Sequence, residues 1–139
     1  MRFRVASSNA LFVAASTLWL LSGCAHDQTV PDSFSVTAVA KGVPNAPGCG
    51  VIFWGTPVKF RVASGPRALK GKQISAVVPC LEFYPGYYVV GRSYELRLTR
   101  HNVNKIGLPD HLTEPLSFYL EEATRLDTGQ RAVWPAGHR

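Results

Sequence analysis

The stretch Val58-Lys59-Phe60-Arg61-Val62-Ala63 alternates apolar and charged side chains along its length. Its apolar side chains would point to one side of an extended chain and Lys59 and Arg61 to the other, because successive side chains of a β-strand face opposite ways. This period of two is typical of an antiparallel strand with one buried and one solvated face. The stretch therefore predicts a strand that carries two cations on its outer face.

Similar short runs recur on both sides of this stretch, separated by turns that use many of the chain's 12 Gly and 10 Pro residues. Further strands are predicted at residues 34–41, 50–54, 73–78, 94–99 and 131–134. No run has a convincing long helical pattern. Five to seven short strands, with a turn about every ten residues, predict an all-β domain that is either a small barrel or a sandwich.

Three segments have less regular patterns. Gly55-Thr56-Pro57 predicts a turn or a bulge that breaks the chain before the opening strand. Pro79 is expected to end or bend its strand, with residues 80–83 as a continuation. Residues 116–126 alternate like a strand, but Glu121-Glu122-Ala123 within them favours a helix, and both alternatives remain open.

Length and composition limit the class of protein. The chain has 139 residues, which is enough for one domain. Hydrophobic residues make up 46% and charged residues 17%, which excludes a disordered or highly charged chain. The one apolar stretch of about 20 residues lies at the N-terminus, so a protein with several membrane-spanning helices is also excluded.

The N-terminal segment predicts export from the cytoplasm. Residues 1–4 carry two arginines, and residues 5–21 are mostly apolar. A basic start, a short apolar core and an exit of small residues are typical of a secretory signal peptide. A transmembrane anchor is the alternative, which the shortness of the apolar core disfavours.

The exit Leu21-Ser22-Gly23-Cys24 resembles the lipobox of bacterial lipoproteins. The resemblance implies that residues 1–23 are removed and that Cys24 receives acyl chains such as palmitate. Three acyl chains exceed the two signals that stable membrane anchoring needs. Ala25 follows, where an Asp would favour the inner membrane, so the resemblance implies an outer-membrane lipoprotein that faces the periplasm.

The processed chain would divide into three parts. Residues 24–33 are mostly polar and are interpreted as a lipidated tether, residues 34–134 as the β domain, and residues 135–139 as a flexible tail. In an exported protein the two remaining cysteines, Cys49 and Cys80, are expected to form a disulfide. Neither belongs to a CxxC-like motif, so no redox or metal role is predicted for them.

Several runs of the β domain resemble netrin-like and metalloproteinase-inhibitor-like modules. They are Val58-Lys59-Phe60-Arg61-Val62, Leu69-Lys70-Gly71-Lys72, residues 74–80, and Gly91-Arg92-Ser93-Tyr94-Glu95-Leu96. The resemblance implies a β-barrel of the OB type, so the expected fold is a small OB-like barrel or sandwich of five to seven strands. Inhibitory members of that family bind the zinc of their target through a free N-terminal Cys. Because lipidation would block both the thiol and the amine of Cys24, that mechanism is not expected here.

The basic side chains are concentrated in the middle of the chain. Residues 59–105 carry nine basic and two acidic side chains. The candidate binding residues are Lys59, Arg61, Arg92, Arg97 and Arg100, together with Tyr84, Tyr87 and Tyr88. If the predicted strands are neighbours, these cations form one basic face for anionic lipid, lipopolysaccharide phosphates or an acidic envelope protein. The three tyrosines form either an exposed recognition loop or a cluster that packs over the end of the barrel.

The basic residues have two other interpretations. One is that they only solvate and protect the outer surface of a sheet. OB-type barrels also hold single-stranded nucleic acid on basic faces that carry aromatic residues. Because the N-terminus predicts export, a nucleic-acid partner is not expected.

No catalytic site, metal site or cofactor is predicted. The spacings of His101, His111 and His138 match no metal-binding motif, and no nucleophile motif is present. The remaining alternative is a periplasmic enzyme inhibitor or small hydrolase that uses His101 and His111, with Glu114 as a third candidate.

Overall fold

A computed structural model describes residues 29–46, 48–49, 55–102, 107 and 110–133. The predicted signal peptide, Cys24 with most of the tether, the predicted strand at residues 50–54 and the tail at residues 135–139 lie outside the described residues. Within the described residues, no helix has the length and apolar character needed to cross a membrane.

The described residues form six β-strands and one short 3₁₀ helix. The strands are β1 (Ser33–Gly42), β2 (Gly55–Ser64), β3 (Gln73–Pro79), β4 (Ser93–Thr99), β5 (Ser117–Arg125) and β6 (Arg131–Val133). The helix spans Leu81–Phe83 and follows β3 directly. The all-β prediction is confirmed, and the predicted strands within the described residues are found close to their expected positions.

Five of the strands close into a barrel. The strand order is β3-β2-β1-β4-β5-β6, and the neighbours in this order are antiparallel. An additional parallel pairing of β3 with β5, from Ser75↔Ser117 to Val77↔Tyr119, closes the ring. Of the two predicted architectures, the structure is therefore a small OB-like barrel, with β6 as one extra strand.

Strand β2 shows how the alternating sequence builds the core. Val58, Phe60 and Val62 are buried inside the barrel, whereas Lys59 and Arg61 on the same strand are exposed. Burial of three such side chains stabilises the fold by roughly 1.5–3 kcal/mol each. The opening prediction of a strand with an outer pair of cations is confirmed.

The predicted turn or bulge at Gly55-Thr56-Pro57 is wrong, because these are the first three residues of strand β2. Pro57 lies opposite Val77 of β3, but the pairing of β2 with β1 extends only as far as Lys59, which lies opposite Gly42. At Pro57, the edge of β2 that faces β1 is therefore no longer paired with that strand. Proline is tolerated at such an edge, where no neighbouring strand needs its missing N–H.

The predicted continuation of β3 through residues 80–83 is also wrong. Strand β3 ends at Pro79, and Cys80 adopts a left-handed backbone with φ of 42° before the Leu81–Phe83 helix begins. The left-handed conformation turns the chain sharply, which an extended strand cannot do. Among the described residues, Cys80 is the only residue other than glycine with positive φ.

Strand β5 resolves the open alternative at residues 116–126 in favour of a strand. It pairs with β4 along one edge, and along its other edge first with β3 and then with β6. Phe118 and Leu120 belong to the hydrophobic core. Pairing on both edges and burial of these side chains outweigh the helix propensity of Glu121-Glu122-Ala123.

A cluster of tyrosines closes the end of the barrel where β3 ends and β4 begins. Its members are Tyr84, Tyr87, Tyr88 and Tyr94. The Tyr87 hydroxyl donates to the carbonyl oxygens of Ala123 (2.7 Å) and Gln130 (2.9 Å). The Tyr84 hydroxyl donates to the carbonyl oxygen of Val133 at 3.2 Å. These bonds tie the segment between β3 and β4 to β5 and β6.

We expect alkaline pH to destabilise the barrel through this cluster. Burial raises the pKa of Tyr84, Tyr87 and, most strongly, Tyr88. A phenol that stays protonated when folded but ionises when unfolded contributes stability below its unfolded pKa of about 10, and this contribution is lost as the pH rises further. The urea midpoint should therefore fall between about pH 10 and about pH 11. The fall should be shallower in Tyr88→Phe, and an identical fall in that variant would contradict the assignment.

Candidate functional site

On the side of the barrel formed by β4, β5 and β6, cations are paired with carboxylates. The ion pairs are Arg97–Glu121 at 2.8 Å, Arg92–Asp127 at 3.3 Å, Arg125–Asp127 at 2.7 Å, and Arg131–Glu122. The hydrogen bond from Arg131 lowers the pKa of Glu122, and the hydrogen bond from Arg125 lowers that of Asp127. Positive charge on this side is therefore largely neutralised at neutral pH.

The side formed by β1, β2 and the β2–β3 turn is different, because its exposed cations have no carboxylate partner among the described residues. These cations are Lys41, Lys59, Arg61, Arg67, Lys70 and Lys72. The sequence contains no Asp or Glu between residues 33 and 81. We call the five cations of β2 and the turn, from Lys59 to Lys72, the basic hairpin surface.

The hairpin that carries these cations is firmly held. The backbone N–H of Val62 donates to the carbonyl of Lys72, and the N–H of Gly71 donates to the carbonyl of Val62, both at 2.9 Å. Leu69 is buried in the core at the middle of the turn. Gly71 has φ of 75°, which is a conformation that glycine adopts without a steric penalty. The turn therefore presents its cations on a defined backbone.

Neutral polar side chains lie beside the two strand cations. Arg61 lies opposite Gln73 and Lys59 opposite Ser75 across the β2–β3 ladder. Gln73 and Ser75 also line an open groove of about 380 Å³ that is bounded on its far side by residues 114–117. The surface thus combines full positive charges with neutral hydrogen-bonding groups, an arrangement suited to anionic oxygen atoms.

The other candidate cations lie elsewhere. Strand β1 separates β2 from β4, so Arg97 is not a neighbour of Lys59 or Arg61. Arg92 and Arg97 form the ion pairs described above. Arg100 donates to the carbonyl oxygens of Glu114 (3.1 Å) and Pro115 (2.9 Å), and its guanidinium lies 4.7 Å from the ring centre of Phe118. The predicted single basic face is therefore reduced to its β2 members, and the turn cations extend it.

The three candidate tyrosines pack over the end of the barrel. Tyr87 and Tyr88 are only 4% and 6% exposed, and Tyr84 is half-buried. Their rings contact one another edge-on or tilted, with centroids 4.8–6.3 Å apart. This is the second of the two predicted arrangements, and it leaves the basic hairpin surface without these aromatic groups.

The predicted disulfide between Cys49 and Cys80 is present, with Cα atoms 5.5 Å apart. It joins the segment before β2 to the end of β3, and the backbone N–H of Cys49 donates to the carboxylate of Glu82. The two sulfur atoms and this carboxylate lie within 4.8 Å of one another. Because disulfide sulfurs are not thiolates, this trio is not a set of metal ligands.

The histidines named for the alternative function are only partly brought together. His101 and His111 form an isolated antiparallel bridge, and their ring centroids are 5.2 Å apart. Glu114 instead accepts a hydrogen bond from the Ser117 hydroxyl at 2.7 Å. Within the part of the chain that the structure describes, no hydrogen bond from a hydroxyl to either imidazole is seen.

Sequence reasoning missed two of these features, although signals for both were present. Residues 33–81 contain no Asp or Glu. This absence would have predicted that the cations on the first three strands have no carboxylate nearby in sequence to neutralise them. The segment between His101 and His111 contains Gly107 and Pro109, which favour a turn that brings its ends together.

Fold and surface together define a small OB-like barrel in which five of the described cations that have no carboxylate partner lie on one hairpin. Comparison of the chain with protein-family models, with curated proteins and with solved structures gives no match. A barrel of this kind hosts many functions, so the function is argued from the surface itself.

Proposed function

We propose that this protein is an outer-membrane lipoprotein, anchored through acyl chains on Cys24, whose barrel acts as a non-catalytic binding module. Its ligands are the phosphate-bearing headgroups of anionic lipids, including those of lipopolysaccharide. The observation that supports this is the unequal distribution of charge: cations on β4–β6 form ion pairs, whereas those of the basic hairpin surface have no carboxylate partner in the part of the chain that the structure describes.

Unpaired cations suit this role better than paired ones. An exposed Arg that already contacts a carboxylate must give up that contact, or share it, to bind another anion. Lys59 and Arg61 have no such competitor among the described residues, and both side chains point to solvent. Their positive charge is therefore available to attract an anionic surface. Each Lys or Arg near such a surface contributes about 1 kcal/mol of binding free energy.

The length of the tether favours a partner on the membrane. Nine residues lead from Cys24 to Ser33, the first residue of β1, and a fully extended chain of that length spans at most about 30 Å. An acylated Cys24 would hold the barrel within this distance of the bilayer. The attraction of cations to anionic headgroups falls off within a Debye length of about 8–10 Å, and a tether of this length lets the basic hairpin surface come within that range.

The test uses the processed chain from residue 24 with Cys24→Ser, which removes the acyl chains and leaves the barrel as the only means of binding. We expect it to co-sediment with phosphatidylglycerol vesicles and not with phosphatidylcholine vesicles, and to be released by salt. Lys59→Gln combined with Arg61→Gln should weaken this binding about thirtyfold, because two contributions of about 1 kcal/mol are lost.

Arg92→Gln combined with Arg97→Gln is the matched control. It removes the same net charge from cations that are already ion-paired, and we expect a loss of about threefold or less. Equal losses in the two double variants would show that only net charge matters and would overturn the assignment of the surface. Failure to bind phosphatidylglycerol vesicles at low salt would reject lipid headgroups in favour of a different partner, such as an acidic envelope protein.

A further inference from the structure

We propose that His101 and His111 together form a binding site for a divalent transition-metal ion, with Zn²⁺ as the reference ion. Nothing in the proposed lipid binding requires this site. The two histidines lie at the two ends of the segment between β4 and β5. Their spacing in the sequence did not predict that they are neighbours.

The backbone register places the two imidazoles as direct neighbours. The N–H of Asn102 donates to the carbonyl of Asp110 at 2.7 Å, and the N–H of Leu112 donates to the carbonyl of Arg100 at 3.1 Å. These bonds flank the His101↔His111 pair without involving it. Such a non-hydrogen-bonded pair has the closest approach between Cα atoms in an antiparallel ladder, and its side chains lie on the same face.

The separation of the rings fits two ligands on one tetrahedral ion. A zinc–nitrogen bond of about 2.0–2.1 Å places the centre of a ligating imidazole about 3.2 Å from the metal. Two such rings at a tetrahedral angle have centres about 5 Å apart. The observed centroid distance is 5.2 Å, with the rings inclined at 52°. The separation of the two rings is therefore compatible with a shared metal ion.

Asp32 places a carboxylate beside His101. Its Oδ2 lies 3.8 Å from Nε2 of His101, and its backbone carbonyl accepts a hydrogen bond from the N–H of Arg100 at 3.1 Å. That backbone bond holds Asp32 beside His101. A carboxylate in this position can orient His101 as an outer partner of the metal ion.

The surroundings define what kind of metal site this is. The side chains of His101 and Asp32 are 57% and 74% exposed, so any remaining coordination positions are open to water. Imidazole donors favour Zn²⁺, Ni²⁺ and Cu²⁺ over Ca²⁺ and Mg²⁺. We therefore infer an exchangeable site with a dissociation constant in the micromolar range, rather than a structural zinc site that the fold requires.

The test is calorimetric titration of the processed chain carrying Cys24→Ser with zinc chloride, in a buffer that does not bind metals. We expect one site, and we expect His101→Ala and His111→Ala each to weaken binding at least tenfold. Asp32→Asn should weaken binding severalfold, because the carboxylate orients His101. His26→Gln combined with His138→Gln, which alters the two other histidines of the chain, is the matched control and should leave the dissociation constant unchanged.

A second measurement separates metal binding from damage to the fold. Excess Zn²⁺ should raise the melting temperature of the parent chain and of the His26/His138 variant, but not that of the variant lacking both His101 and His111. The absence of saturable binding by the parent chain would overturn the proposal. Binding that survives in the chain without His101 and His111 would overturn it equally. Vesicle binding is measured without metal, so either proposal can fail while the other holds.

Discussion

A chain with Cys49→Ala and Cys80→Ala is expected to lose about 3–4 kcal/mol of its free energy of unfolding. The disulfide joins residues 31 apart in sequence, and the loop that it closes contains all of β2 and β3. Without the bond, the unfolded chain regains the entropy of that loop. For a domain of this size the loss is a large share of a typical total of about 5–15 kcal/mol.

The backbone conformation of Cys80 predicts which replacement at this position is the more stable. Its φ of 42° lies in the left-handed region, where a residue with a Cβ atom costs about 1–2 kcal/mol relative to glycine. Once the disulfide is gone, glycine fits this conformation better than alanine. The pair Cys49→Ala/Cys80→Gly should therefore be more stable than Cys49→Ala/Cys80→Ala by about 1 kcal/mol, even though glycine also raises the entropy of the unfolded chain.

Urea unfolding with and without a reductant measures both effects. The reductant should shift the midpoint of the parent chain and leave both double variants unaffected. A parent chain whose midpoint is insensitive to complete reduction, verified by thiol titration, would contradict the first expectation. A glycine variant less stable than the alanine variant would contradict the second.

Tyr94→Ala is expected to destabilise the barrel by about 4–5 kcal/mol. Tyr94 is fully buried, and its ring lies 5.6–5.8 Å from the rings of Phe60, Tyr87 and Tyr88. Its removal leaves a cavity where strand β2 meets the tyrosine cluster. It also deprives the β3–β4 connection of one polar anchor, because the Tyr94 hydroxyl accepts from the N–H of Val89 (2.8 Å) and donates to the carbonyl of Tyr87 (2.7 Å).

Tyr94→Phe separates the two contributions. It keeps the ring and removes only the hydroxyl, so two backbone groups lose their partner at a cost of about 1–3 kcal/mol. The free energies of unfolding from urea titration should therefore fall in the order parent, Tyr94→Phe, Tyr94→Ala. If the phenylalanine variant matched the parent, the hydroxyl bonds would contribute nothing, and if it matched the alanine variant, the ring packing would contribute nothing.

The strands were predictable where their pattern is local. Residues 58–63 alternate so regularly that burial of Phe60 and exposure of Lys59 follow from the geometry of any half-buried strand. The errors occurred where the deciding contacts are distant in sequence. Pro57 lies within β2 because β1 no longer pairs there, and residues 122–123 are extended because β4 and β6 pair with them.

The candidate sites show the same division. That Lys59 and Arg61 are exposed cations could be predicted, but which cations of the central segment remain unpaired could not. Arg97 has the same strand pattern as Arg61, yet it contacts Glu121 on β5 because β4 and β5 are neighbours. His101 and His111 carry no recognisable motif, and they meet because the backbone bonds on either side of them bring two short segments into register.

The amino-acid sequence by itself determined the all-β class, the inward and outward faces of the main strands and the pairing of Cys49 with Cys80. These depend on the period of side chains along an extended backbone and on the number of cysteines available. Only the tertiary structure decided that the sheet closes through β3 and β5, that the tyrosines cover the barrel end, and that unpaired cations gather on one hairpin. Those features arise from contacts between residues far apart in the chain, which a local pattern does not encode.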